Sequence, residues 1–102
     1  MNFFGIQIFS SRSSSWSKVR KQHILKFPNC AACGRSKNLD VHHIIPVSVD
    51  PTKELDPDNL ITLCSDPCHF VFGHLMDYKS WNTDVIQDCG WYRKKLLNKP
   101  KK

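Results

Sequence analysis

Apolar side chains at Trp16, Val19, Ile24 and Phe27, with His23 among them, recur at three- and four-residue steps. That period predicts an amphipathic helix, opened by a cap at Ser14 or Ser15 and ended by Pro28. Arg20, Lys21 and Lys26 fall off its apolar stripe. "CAACG" at 30–34 reads as a tight turn in which Gly34 takes a positive φ. "NLDVHHII" reads as a short strand, and "LITLC" at 60–64 as a second one of β-branched and apolar residues. Between them "PVSVDPTKELDPDN" carries three prolines and four acids, the composition of a loop. Residues 68–76 read as a short helix, "KSWNTD" as a turn, and 84–97 as a last helix with Val85, Cys89, Tyr92 and Leu96 on one face. Residues 1–13 read as a loosely held leader with at most a short strand. No internal repeat is visible. Helix, turn, strand, long loop, strand, helix, helix is an α+β order.

Length narrows this picture. A chain of 102 residues, 40% hydrophobic, is expected to fold as one domain with a thin core, a size at which a metal or disulfides often staple the fold. Five cysteines are present, an odd number for a full disulfide framework. "MNFFGIQIF" has no basic segment before its apolar run and no cleavage site after it, and nothing reaches the length of a membrane span. The expectation is a reducing, cytoplasmic setting, where paired cysteines more often hold metal than each other.

Charge is segregated along the chain. Residues 1–39 hold seven Lys or Arg and no acid, 40–88 hold two Lys and all nine acids, and 89–102 hold six Lys or Arg and no acid. Two solvated flanks would account for this, and so would two basic arms that neutralise phosphates. The arms would be Arg20, Lys21 and Lys26 on the first helix, and Arg93, Lys94, Lys95, Lys99, Lys101 and Lys102 at the other end.

Cys30 and Cys33 form C-x2-C, and Cys64 and Cys68 form C-x3-C with Pro67 inside the longer spacer. Two such knuckles can aim four thiolates at one Zn²⁺ and make a closed structural site. A redox C-x-x-C would sit at a helix start in a βαβ setting, which the pattern lacks, and two disulfides are the other alternative. Cys89 lies on the apolar stripe of the last helix and reads as core. A closed Cys₄ site does no chemistry; it would join the turn after the first helix to the end of the second strand, fixing the strands around the loop that follows "VHHIIP".

"DVHHIIP", then "DNLITLC", then "CHFVFGH" resembles the HNH nuclease family, also described as ββα-metal or His-Me finger endonucleases. The resemblance covers roughly residues 30–76. It implies a small ββα-metal core with flanking helices, stapled by the Cys₄ zinc, within a single nuclease domain over 1–102 that ends in a basic tail at 98–102. It implies that His43 is the general base, that His42 (where many relatives carry Asp) and His69 bind the catalytic metal, and that Asn59 holds the loop and helps position the base. Many relatives place a further His four residues after the one matched by His69; here position 73 is Gly and the next His is His74. On a regular helix five residues leave His74 about 140° from the face of His69, so it joins the ligands only if the helix starts late or bulges. Asp40 is a candidate to support His42 from behind.

The residue types suit phosphodiester hydrolysis. A neutral imidazole with a pKa near ~6.5 can take a proton from water at pH 7. A divalent ion with few protein ligands keeps positions open for phosphate oxygens, and a mixed N/O site accepts Mg²⁺, Mn²⁺, Ni²⁺ or Zn²⁺. Adjacent strand residues point to opposite faces, so His42 and His43 can serve metal and base separately. The family implies cleavage or nicking of DNA to a 5′-phosphate and a 3′-hydroxyl; small proteins of this type resemble phage or mobile-element nucleases. A non-catalytic zinc-knuckle DNA-binding module explains the charge and the cysteines as well, but not His42, His43, Asn59 and His69 together. A scaffold that recruits a partner through Trp81, Trp91 and Tyr92 is a third reading. The loop acids Asp50, Glu54, Asp56 and Asp58 lack EF-hand spacing and read as solvated.

Overall fold

The computed structural model describes residues 13–98. The leader before Ser13 and the tail lysines Lys99, Lys101 and Lys102 lie outside the described residues.

Helix α1 spans Trp16–Lys26 with Ser15 at its N-cap position, and it ends at Phe27, where the following proline disfavours helical backbone. Most of its stripe turns inward, with His23 buried and Trp16, Val19 and Ile24 half-buried, but Phe27, past the last helical residue, is exposed. Arg20 departs from the pattern. Its guanidinium donates to the Leu39 carbonyl at 3.1 Å and ties α1 to the next strand.

Strands β1 (Leu39–His43) and β2 (Leu60–Cys64) pair antiparallel, with Leu39 opposite Cys64 and His43 opposite Leu60. β2 has the expected bounds. β1 is shorter than the apolar run because the ladder is replaced beyond His43. Ile44 still donates to the Asn59 carbonyl at 2.8 Å, but Ile45 bonds the Asn59 side chain instead. The connection contains two 3₁₀ turns, Pro51–Lys53 and Pro57–Asn59. Asp50 and Asp56 precede them, each accepting the N–H two residues on, from Thr52 and Asp58. These acids, expected to be merely solvated, are turn formers, as short Asp side chains are well suited to be.

The segment after Cys68, expected as an ordinary helix over 68–76, is a π-helical turn over His69–Gly73. Left-handed backbone follows at Leu75 (φ 55°) and Met76 (φ 64°). Helix α2 spans Val85–Leu97. Its expected stripe holds, with Val85 and Cys89 buried and Tyr92 and Leu96 half-buried.

The core lies at the Cys64 end of the ribbon. Cys30, Ala32, Leu63, Cys64, Cys68, Val85 and Cys89 form one buried cluster, with Phe72 and Tyr92 packed against it. Four of those seven residues are cysteines, so the interior of this α+β fold is organised around sulfur as much as hydrocarbon. Leu63 is fully buried there, and truncating such a residue to Ala costs about 2–5 kcal/mol.

Candidate metal centre and active site

The turn after α1 carries Cys30 and Cys33, and the end of β2 with the chain beyond it carries Cys64 and Cys68. Gly34 takes the expected left-handed conformation, φ 83°, and its N–H bonds the Cys30 carbonyl at 2.9 Å. The four sulfurs all lie within 4.8 Å of one another. The Cys33 and Cys64 sulfurs are 3.8 Å apart, far beyond a disulfide and close to the ~3.8 Å edge of a tetrahedron with ~2.3 Å metal–sulfur bonds. Burial works against a thiolate at Cys30, but N–H groups of Cys33, Cys64 and Ala32 outweigh it and bring the thiol down to about 7. Burial and the neighbouring sulfurs push Cys68 up, and burial with the charge of Cys30 pushes Cys64 up. Four sulfurs so close cannot all ionise unaided, and a cation among them would remove the conflict. The cluster could hold a structural metal. Cys89 stays outside this group; its thiol, buried and facing the charge of Cys30, is pushed up to about 12.

On the ribbon, β1 sends His42 toward the π-helical turn. His42, His69 and His74 each bring a ring nitrogen within 4.8 Å of the others. The π-helical turn explains why His74 belongs to the group. An i→i+5 helix adds a residue to each turn, so positions five apart draw onto one face, where a regular helix would separate them. Gly73 permits the approach: a Cβ there would stand 3.0 Å from His42 Cε1 and 3.1 Å from His69 Cδ2.

Hydrogen bonds orient two of these rings. His69 Nδ1 lies 2.9 Å from the Asp40 carboxylate, and His74 Nδ1 lies 2.9 Å from the Ser80 carbonyl. Both partners only accept, so both Nδ1 atoms carry the proton and both Nε2 atoms present a lone pair. His69 Nε2 is 3.1 Å from His42 Nδ1, the separation that two nitrogens ~2.1 Å from one ion adopt. His42 Nε2 is buried with no hydrogen-bond partner among the described residues. Burial, then the repulsion a second proton would meet beside His69, His74 and His43, drives His42 down to about 3, so it is neutral, the form that binds metal. These three nitrogens fit a divalent cation. Asp40 supports His69 rather than His42, a correction to the expectation. It shares a strand face with His42, but its carboxylate reaches across to the π-helical turn, and Ser65 Oγ donates to its other oxygen at 3.0 Å.

His43 faces the other way. Its Nε2 lies 2.9 Å from the Glu54 carbonyl, and its ring stacks on Trp16 with centroids 4.6 Å apart. Asn59, buried, closes the loop. Its Oδ1 accepts from Ile45 N–H at 2.8 Å, and its Nδ2 donates to the carbonyls of Ile45 and Lys53 at 3.0 and 3.1 Å. One amide thereby ties Ile45 to Lys53, the residue next to the one that supplies the Glu54 carbonyl.

The basic residues divide. Lys21 and Lys26 on α1 and Lys94 and Lys95 on α2 are exposed. Arg20 is engaged with Leu39, and the Arg93 guanidinium sits against Gly34, where a Cβ would meet its Cζ at 2.8 Å. His23 packs on the Phe27 ring, centroids 5.0 Å apart. Trp91 is exposed under the Lys95 ammonium, whereas Tyr92 packs on Phe72. Sequence reasoning missed Trp16, Glu54, Ser80 and Gly73 as parts of the site. Only Gly73 left a signal, standing where relatives' spacing would put a histidine.

No helix among the described residues is long and apolar enough to cross a membrane. Comparison with curated proteins and with solved structures returns no match. A family model described as HNH endonuclease matches residues 30–70. That span contains both cysteine knuckles, His42, His43, Asn59 and His69, on two strands and the start of the π-helical turn, and over it the chain matches the HNH endonuclease family.

Proposed function

We propose that the chain is a metal-dependent HNH endonuclease that hydrolyses DNA phosphodiester bonds, acting as a single unit over 1–102 with Zn²⁺ in the cysteine cluster. The observation that carries this reading is the pairing of two devices on neighbouring residues: a three-imidazole cluster at His42, and a carbonyl-oriented imidazole at His43. A structural knuckle alone needs neither.

His43 is the general base. The Glu54 carbonyl can only accept, so Nε2 carries the ring proton and Nδ1 presents the lone pair that takes a proton from water. The water oxygen then bonds to phosphorus in line with the departing O3′. The P–O3′ bond breaks to give a 5′-phosphate, and O3′ leaves as a hydroxyl once protonated by solvent. Asn59 keeps the Lys53–Ile45 loop closed and so keeps the Glu54 carbonyl in place. His42, His69 and His74 would hold the catalytic ion, Mg²⁺, Mn²⁺, Ni²⁺ or Zn²⁺, which when bound supplies positive charge to the phosphate and the leaving oxygen. Asp40 and Ser80 keep His69 and His74 in the ligating tautomer. Lys21, Lys26, Lys94 and Lys95, with Arg20 and Arg93 at their feet, would contact the DNA backbone, positioning it without reading sequence.

The test is relaxation of supercoiled plasmid by metal-stripped protein after single additions of the four ions, with His43→Ala alongside. Metal-dependent nicking or linearisation, abolished in His43→Ala, is expected. DNA binding without cleavage at any ion would refute the nuclease reading and leave a zinc-knuckle DNA-binding module.

A further inference from the structure

We infer that α1, which lies outside the family-matched segment, positions the general base, with Trp16 as the positioning residue; this rests on the reading of His43 as base. A strand sets where an imidazole's Cβ stands but not how its ring is turned, because the torsion about Cβ–Cγ is broad. For Nδ1 to reach a water beside the phosphate, that torsion has to be held by something else.

Contacts among the described residues hold it. The Trp16 indole lies over the His43 ring at 4.6 Å between centroids, with planes 30° apart, and blocks rotation from one side. The Glu54 carbonyl fixes one edge of the ring through Nε2 at 2.9 Å. α1 controls the second contact as well. Just before its first turn, the Ser13 N–H donates to the Glu54 carboxylate at 2.7 Å. The start of one helix thus grips the base from its face and anchors the residue that grips its edge. Asn59 secures the same loop from inside through Lys53. Trp16 touches no reacting atom in this arrangement; it acts through His43. Misplacing a reacting group by about 1 Å can cost on the order of 10²-fold in rate.

Trp16→Ala, Trp16→Phe, Glu54→Ala and His43→Ala are assayed on supercoiled plasmid, with the ion that supports wild-type cleavage. Trp16→Ala is expected to lower kcat by roughly 10- to 100-fold with KM unchanged. Trp16→Phe, which keeps a flat ring there, should recover most of the loss. Glu54→Ala should lower kcat several-fold, again at unchanged KM. Wild-type kcat in folded Trp16→Ala, beside an inactive His43→Ala, overturns the inference alone. A raised KM at unchanged kcat also overturns it, since Trp16 would then be a DNA contact. An active His43→Ala overturns the base reading itself. If circular dichroism shows Trp16→Ala to be unfolded, Glu54→Ala decides, and full kcat there refutes the proposal.

Discussion

Gly73→Ala puts one methyl group against two imidazoles. The new Cβ would stand 3.0 Å from His42 Cε1, 3.1 Å from His42 Nδ1 and 3.1 Å from His69 Cδ2. Carbon contacts settle at about 3.5–4.0 Å, so the imidazoles have to retreat by about 0.4 Å or more. Metal–ligand distances tolerate only about ±0.2 Å. The variant should therefore lose metal affinity by roughly 10- to 100-fold, the scale seen when ligand orientation is disturbed. Overpacking costs about 1–3 kcal/mol, and the stiffer unfolded chain returns about 0.4–1 kcal/mol, for a net destabilisation of about 1–2 kcal/mol. Gly90 is the internal control: a Cβ there meets nothing within 4 Å. Gly90→Ala in the exposed face of α2 should stabilise by about 0.5–1 kcal/mol and leave the metal site alone. Calorimetric titration with Ni²⁺, urea denaturation and plasmid cleavage on the two variants read all three quantities. Wild-type Ni²⁺ affinity in folded Gly73→Ala would refute the three-imidazole site.

Asn59→Ala removes partners from the Ile45 N–H and the Ile45 and Lys53 carbonyls; leaving such groups unpaired should cost about 1–3 kcal/mol in urea denaturation, and a loss within error would show the loop to be held otherwise. With the proposed Zn²⁺ in the cysteine cluster, chelation should lower the melting temperature and release one Zn²⁺ per chain from that cluster by mass spectrometry, whereas Cys89→Ser should leave the metal content unchanged. Stability of metal-stripped protein should depend on pH through His42. Burial and its histidine neighbours hold it down to about 3, while the unfolded side chain titrates near ~6.5, so the unfolded chain binds the extra proton between those values. Stability present above about pH 6.5 should fall below it, by about 2 kcal/mol at pH 5. The same slope in His42→Asn would exclude His42 as its source.

Much of the fold is legible in the residue pattern. The apolar period of two helices and the run "LITLC" locate α1, β2 and α2, and the cysteine spacings identify which sulfurs meet. What the pattern cannot supply is where a long-range contact overrides a local rule. A helical wheel sends His74 away from His69 because it assumes an ordinary turn; the π-helical turn instead sets Gly73 against His42, some thirty residues earlier in the chain. Arg20 sits on the polar side of its wheel, yet a long side chain can reach back to a carbonyl at the ribbon's edge. Alternation along β1 places Asp40 and His42 on one face, but not which histidine the carboxylate meets. Trp16 was visible only as one more apolar position, since its partner lies on another element.

Because His42 and His43 are consecutive on β1, the division of labour proposed for them depends on strand parity. Inserting or deleting one residue between Leu39 and His42 would turn each imidazole to the other's face and, on the roles proposed for them, remove metal ligand and base together. The cross-strand register with Leu60 and Ile61 would slip at the same time. The connection after Pro46 is under no such constraint, since it is built from separate turns and fastened at Ile45, Lys53 and Glu54. Length variation in this scaffold should therefore accumulate around Val47–Val49, while a single-codon insertion in β1 should abolish the proposed cleavage however mild its chemistry.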